Sequence, residues 1–176
     1  MAHQVLVVVD MQNDFITGSL GSPTAEAIVS QVADKIRNFE GLIFYTLDTH
    51  DEGYLESQEG KNLPVSHCVE GTPGWELASQ IVEAKPIQAE YVYCKGQFGS
   101  VELAEDLRDL HDMEGIDSIE LVGLCTDICV VSNAMLLKAF LPEVPVIVDA
   151  SCCAGVSTET HEAALTTMKT CQIIVK

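Results

Sequence analysis

Cys129 stands in the stretch Val122-Gly123-Leu124-Cys125-Thr126-Asp127-Ile128-Cys129-Val130, which runs from an apolar strand through a turn into a helix. A thiol in the first turn of a helix meets free N–H groups and the positive end of the helix dipole, and both favour a thiolate. The same N–H groups can hold a developing oxyanion. Two further strand ends supply partners. Asp10 closes the run Val5–Val9 and can accept a thiol proton and return it to a leaving amine; Lys95 closes the run 91–94 and, as a cation beside the thiol, would lower its pKa. Alone, an Asp at a strand end is often a turn former and a Lys there is usually solvated. The weight comes from several strand ends converging on one crevice. Cys125 is the rival nucleophile, but in the turn itself its backbone N–H is more useful than its sulfur. The other cysteines read as small buried hydrophobes. No GxSxG occurs and no histidine falls at a strand end close to Cys129, so neither a Ser-His-Asp nor a Cys-His pair is indicated.

A second constellation lies between Asp48 and about Glu76, a stretch without clear period and rich in Gly, Pro, Glu and His. A loop of that length in a compact domain is usually functional. Asp48 and His50 are two apart, so on extended chain their side chains share a side. His67 follows, with Glu52, Glu56 and Glu59 between. One Asp, two His and a Glu suit a borderline divalent ion such as zinc, iron or manganese. The competing reading is a set of solvated loop polars.

The elements that must carry these residues alternate between apolar β-rich runs and stretches of helical period. Strands are expected at Val5–Val9, Leu42–Leu47, 91–94, 118–122, 144–148 and 172–175, and helices at 24–39, 101–113, 127–140 and 158–169. Continuous apolar strands alternating with amphipathic helices mean a parallel sheet covered on both faces, with right-handed crossovers. The expected fold is α/β: a three-layer, doubly wound, Rossmann-like domain with a six-stranded parallel sheet. No repeat, low-complexity tract or linker divides the chain, so residues 1–176 are expected to form a single domain. In such sheets the site lies at the carboxyl ends of the strands.

The bulk composition narrows the partners. The 176 residues are 47% hydrophobic, a globular composition, and carry a formal net charge of −18. That surface repels phosphate backbones and anionic lipid heads, so neither nucleic acid nor membrane is expected as a partner. No apolar run approaches the roughly 20 residues that a bilayer needs. The first residues lack a basic n-region, so no signal peptide is expected. Seven cysteines, an odd number without CxxC, do not read as a disulfide framework, and a cytoplasmic location is expected.

Three segments resemble the isochorismatase-like cysteine hydrolases. They are Val7-Val8-Val9-Asp10-Met11-Gln12-Asn13-Asp14-Phe15, Cys94-Lys95-Gly96 with Phe98 after it, and Gly123 to Val130. Order and spacing hold from residue 5 to about 160. The resemblance implies an Asp10–Lys95–Cys129 triad, a cis peptide before Cys125, and an oxyanion hole formed by the backbone N–H groups of Cys125 and Cys129. Asp48-x-His50 followed by His67, and the segment His67-Cys68-Val69-Glu70-Gly71-Thr72-Pro73-Gly74, are similar to the nicotinamidase/pyrazinamidase branch, whose members hold a metal ion that binds the pyridine nitrogen.

By that resemblance the metal set is Asp48, His50, Glu59 and His67. Some members place a third histidine between the first and last; none lies between His50 and His67 here, and Glu59, with Glu56 as the alternative, takes that place. An aromatic residue that often precedes the last histidine is replaced by Leu63 and Pro64, which leaves Phe15 and Phe98 to sandwich the ring. The implied activity is conversion of nicotinamide to nicotinate and ammonia through a cysteine thioester, with zinc as the expected ion, a small-molecule amide as partner, and a homo-oligomer left open. The alternatives are another cysteine hydrolase of this family acting on a different small amide or ether, a phospho-acceptor receiver domain, and a thiol or metal sensor.

Overall fold

A computed structural model describes residues 2–176. Six parallel strands form one sheet: β1 His3–Val9, β2 Leu42–Asp48, β3 Val92–Lys95, β4 Ile116–Leu124, β5 Val146–Ala154 and β6 Ile174–Val175, in the order β3-β2-β1-β4-β5-β6. The order explains the composition of β1. It is hydrogen-bonded to β2 on one side and β4 on the other, and both its faces are covered, so Val5–Val9 form an unbroken apolar run with no exposed surface. Side chains of a strand alternate between faces. Val5, Val7 and Val9 therefore enter one core and Leu6 and Val8 the other.

The core containing Leu6 and Val8 is closed by α2 (Pro23–Asn38) and α4 (Ser79–Ala84), the other by α5 (Val101–Glu114), α6 (Val131–Phe140) and α7 (Thr158–Thr170). Helix α2 buries Ala25, Ile28, Val29, Val32, Ala33 and Ile36, the stripe that its sequence period requires. It starts at Ser22, whose side chain accepts the Ala25 N–H, with Pro23 at the first helical position. Helix α7 starts with a reciprocal Ser157/Thr160 capping box. Deleting a wholly buried residue at the sheet centre, as in Leu121→Ala, should cost about 2–5 kcal/mol.

The sequence-expected strands and helices are all present, with shifted bounds. β4 and β5 run on to residues 124 and 154, because their last residues, Gly123 with Cys153 and Leu124 with Ala154, still pair after an irregularity. The helix expected from 127 begins instead as a wider π-turn, Thr126–Val130, that leads into α6. Two short helices were not legible, α4 and α1 (Asn13–Ile16). The stretch after Asp48 is not structureless either. It holds a 3-10 turn, Tyr54–Glu56, and α3 (Gln58–Asn62), both too short to show a period.

The chain winds outward from β1 through β2 and β3, then crosses back to β4, β5 and β6. The direction of winding reverses between β1 and β4, and such a switch point leaves a crevice at the carboxyl ends of the two strands. Asp10 leaves β1 there, and Gly123 and Leu124 end β4 there.

Candidate active site and metal centre

Asp10, wholly buried, adopts a left-handed backbone with φ 45°. A non-glycine residue there costs on the order of 1–3 kcal/mol, a kind of strain that clusters at functional sites. Its carboxylate is oriented by Thr46, whose Oγ1 donates to Oδ1 at 2.7 Å, and Oδ2 lies 2.7 Å from Lys95 Nζ. Lys95 ends β3, two strands away, and its side chain reaches back across β2. Its Nζ lies 3.4 Å from Cys129 Sγ and 3.3 Å from Asp48 Oδ1. Asp10, Lys95 and Cys129, drawn from three different strand ends, are thus gathered on one ammonium.

Gly123 lets the turn that carries Cys125 and Cys129 approach β1. It pairs with Val9 at φ 119°, and a Cβ there would sit 2.1 Å from the Val9 carbonyl oxygen. Only glycine fits. The Leu124–Cys125 peptide is cis. The π-turn then buries Cys129, and Asn133, one turn further on, fixes it: Nδ2 donates to Cys129 O at 2.8 Å and to Phe98 O at 3.2 Å, while Oδ1 accepts the Ser100 N–H at 2.9 Å. Asn133 thereby ties the Cys129 turn to the loop that follows Lys95.

The charges differ from the sequence expectation in one respect. Lys95 does lower the Cys129 thiol pKa, but burial first, and then the negative Asp10, outweigh it and hold the thiol well above its ordinary value. Burial also raises the Asp10 carboxyl, with Lys95 offsetting part of the effect. Burial opposes the charge on Lys95, yet the Asp10 and Asp48 carboxylates outweigh it and keep the ammonium protonated. Burial thus favours the neutral thiol beside the Lys95 ammonium. Burial and Asp127 push the Cys125 thiol up to about 12 as well, so acidity does not separate it from Cys129.

Beside this group stand Asp48, His50, Glu59 and His67, whose ligand atoms all lie within 4.8 Å of one another. His50 Nε2 is 3.0 Å and His67 Nε2 3.4 Å from Asp48 Oδ2, and each is 3.8 Å from Glu59 Oε1. His50 is held against the strand-like segment after His67: its N–H donates to Cys68 O and its carbonyl accepts the Glu70 N–H. Glu59 arrives on α3, which Ser57 caps and which packs through Gly60 onto the Tyr54 carbonyl, where a Cβ would lie 2.1 Å away. Glu56 and Glu52 are exposed and outside the cluster.

The donor set fits a borderline divalent ion. Two imidazole nitrogens and two carboxylates converge, and His67 Nδ1 is occupied with Val65 O at 2.8 Å, which leaves Nε2 free for a metal. Asp48 Oδ2 faces the histidines while Oδ1 faces Lys95.

Several supporting residues escaped the sequence reading. The carboxamide of the wholly buried Gln12 grips the Asp48 backbone from both sides: Oε1 accepts the Asp48 N–H at 2.8 Å, and Nε2 donates to Asp48 O at 2.9 Å and Trp75 O at 2.7 Å. Tyr54 packs against both imidazoles, with ring centroids 4.6 Å from His50 and 4.8 Å from His67, and donates its hydroxyl to Leu63 O. Asp14 Oδ2 accepts the N–H of Cys68, just after His67. Gln12 and Asp14 lie within the first motif, which was the available signal; Tyr54 had none. Phe15 and Phe98 both line the cleft that joins the two groups, Phe15 with its ring centroid 5.5 Å from that of His67.

Residues 4–175 match the Isochorismatase domain. The chain belongs to the isochorismatase family. Within that family it is 30% identical over 181 residues to the nicotinamidase/pyrazinamidase of Mycobacterium tuberculosis, covering 97% of this chain and 96% of that one. Among solved structures, the pyrazinamidase of Pyrococcus horikoshii in complex with zinc superposes with a TM-score of 0.80 at 28% identity, covering 99% of this chain and 98% of that one. The pyrazinamidase/nicotinamidase of Streptococcus mutans gives 0.82 at 27% identity, covering 98% and 99%. An isochorismatase-family hydrolase fold accounts for the whole sheet and leaves no place for the receiver-domain alternative.

Proposed function

We propose that this protein is a metal-dependent amidohydrolase that converts nicotinamide to nicotinate and ammonia, with Cys129 as nucleophile. The observation that carries this reading is the sharing of one carboxylate: Asp48 contacts the Lys95 ammonium of the Asp10–Lys95–Cys129 group and both histidines of the metal set. A thiol nucleophile and a metal site so coupled suit a substrate with an amide at one position and a ring nitrogen at another. The likeness to nicotinamidase/pyrazinamidases over nearly the full chain supports the same class.

Asp48, His50, Glu59 and His67 would hold the ion, with zinc as the choice that the donor set and the zinc-bound structural relative support. When bound, the ion supplies an anchor for the pyridine nitrogen and orients the ring, the template role of a metal. Phe15 and Phe98 flank the ring. Asp10 accepts the thiol proton, and Lys95 stabilises the thiolate that forms. Sγ attacks the amide carbon while the backbone N–H groups of Cys125 and Cys129 receive the oxyanion. Asp10 returns the proton to the nitrogen, the C–N bond breaks, and ammonia leaves a thioester. Asp10 then takes a proton from water, whose oxygen attacks the thioester carbon; the C–S bond breaks, Asp10 returns the proton to Sγ, and the acid leaves as nicotinate.

Among the described residues no helix is long and apolar enough to cross a membrane, and all seven cysteines are unpaired. The free thiols support a reducing compartment such as the cytoplasm.

The test is ammonia release from nicotinamide by the zinc-loaded protein. Cys129→Ala should lower it by roughly 10⁴-fold or more, the scale seen when a catalytic nucleophile is removed. Cys125→Ala, which keeps the backbone N–H, should lose far less. No release from the metal-loaded wild type would refute the assignment.

A further inference from the structure

The oxyanion hole proposed above is made of backbone, so its geometry depends on whatever holds the turn 124–130 in place. One end is held by the Asn133 carboxamide on Cys129 O. Inside the turn, Cys125 O accepts both the Ile128 and the Val130 N–H, at 3.1 and 3.0 Å. The Cys129 N–H lies between those two donors in the chain. Its direction therefore follows the seat of Cys125 and the two residues after it.

Those residues are clamped from α7. Thr126 is wholly buried, and its Oγ1 lies 2.8 Å from His161 Nδ1. Asp127, the next residue, accepts the Val156 N–H through both carboxylate oxygens, at 3.1 and 3.2 Å. Val156 and His161 belong to one corner, where β5 gives way to α7, and that corner is itself well fastened. Ser157 caps α7 in the reciprocal box with Thr160, and the His161 N–H donates to Ser157 O at 3.0 Å. Gly155 admits a close approach, since a Cβ there would lie 2.8 Å from the His161 Cβ. Just before it, Cys153 and Ala154 pair with Gly123 and Leu124. The imidazole is thus delivered to Thr126 by backbone that is already fixed, and no step of the proposed reaction uses it.

We propose that His161 is a positioning residue for the oxyanion hole: through Thr126 it seats the turn so that the Cys125 and Cys129 N–H groups converge on one oxygen. The inference rests on the amidase reading above. His161 is not among the residues that line the cleft, so it acts on the reaction through Thr126 alone. Its loss should leave substrate binding intact and be felt where the oxyanion develops. An interaction made only in the transition state lowers kcat and kcat/KM equally when it is removed. A misplacement of about 1 Å, caused by a change away from the reacting atoms, can cost about 100-fold.

The test is nicotinamide turnover by zinc-loaded His161→Ala, His161→Asn and His161→Gln beside wild type. His161→Ala should lower kcat roughly 10–100-fold, with KM and zinc content unchanged. An Asn amide stands where Nδ1 stands and can bond Thr126, whereas a Gln amide reaches the Nε2 position. His161→Asn should therefore recover most of the loss and His161→Gln should not, although Gln is the better helix former and fills more of the space. A merely structural role would favour Gln. Thr126→Val keeps the shape without the hydroxyl, and it also serves should His161→Ala fold poorly. It should reproduce the His161→Ala loss, and the double variant should lose no more than either one. Pyridine-3-carbaldehyde gives a readout that does not depend on the active fraction. Sγ–H adds across its C=O, and the adduct oxygen sits where the amide oxyanion would. Its inhibition constant should rise in His161→Ala by the factor by which kcat/KM falls. Wild-type kcat in His161→Ala, or equal recovery by Asn and Gln, overturns the proposal and leaves the amidase reading intact. Losses that multiply in the double variant also overturn it. No turnover by the wild type overturns the amidase reading and this inference with it, a result distinct from any failure of the variants.

Discussion

Lys95 and Asp48 meet end to end on neighbouring strands, Nζ to Oδ1 at 3.3 Å, with Asp48 Oδ2 turned to the two histidines. Asp48→Ala should therefore damage two functions together. Zinc affinity should fall by about 100-fold or more, beyond the 10–100-fold typical of outer-shell changes. Because Lys95 also loses a carboxylate partner, kcat should stay depressed even at saturating zinc. Competition with a chromophoric chelator measures the first effect and zinc-saturated kinetics the second. Zinc affinity equal to wild type would rule out Asp48 as a ligand.

Gln12 fixes where Asp48 stands. Gln12→Ala leaves a buried N–H and two carbonyls without their partners, and an unsatisfied buried polar group costs about 1–3 kcal/mol. The variant should unfold at lower urea than wild type and bind zinc more weakly. An unchanged unfolding midpoint would show that other groups, or water, take over these bonds.

Tyr54 forms the wall behind both imidazoles. Tyr54→Ala should weaken zinc about 10–100-fold, the scale for a group that orients metal ligands. Tyr54→Phe keeps the ring and loses only the bond to Leu63 O, so its loss should be much smaller. Equal losses in the two variants would assign the effect to the hydroxyl and not to ring packing.

The pH dependence follows from Asp10. Burial raises its carboxyl above the ordinary value of 3.8, with Lys95 opposing. As the proposed proton acceptor Asp10 must be ionised, so activity is expected above its pKa and is lost as pH falls through it. The acid limb of kcat/KM should therefore lie above the usual carboxylate range. The profile is taken with zinc content monitored, so that protonation of the histidines is not mistaken for that of Asp10. An acid limb at ordinary aspartate acidity, with zinc retained, would exclude Asp10 as the base.

Much of the molecule is written locally. The run Val5–Val9 must be a central strand because only a strand covered on both faces buries five consecutive apolar residues. The stripe from Ala25 to Ile36 must be a helix, and Asp10, Lys95 and Cys129 can be located because each stands where a strand ends or a helix begins. Local pattern does not specify which strands become neighbours. The pairing of β1 with β4 places Gly123 against Val9 and so delivers Cys129 to Asp10. Nor could spacing decide between Glu56 and Glu59, since the difference lies in a five-residue helix stabilised by its Ser57 cap and its packing on Tyr54 rather than by any period of its own. The protonation of Cys129 was likewise beyond the sequence. It is the sum of burial, Asp10 and Lys95, and the sign of such a sum depends on distances that only the folded chain sets.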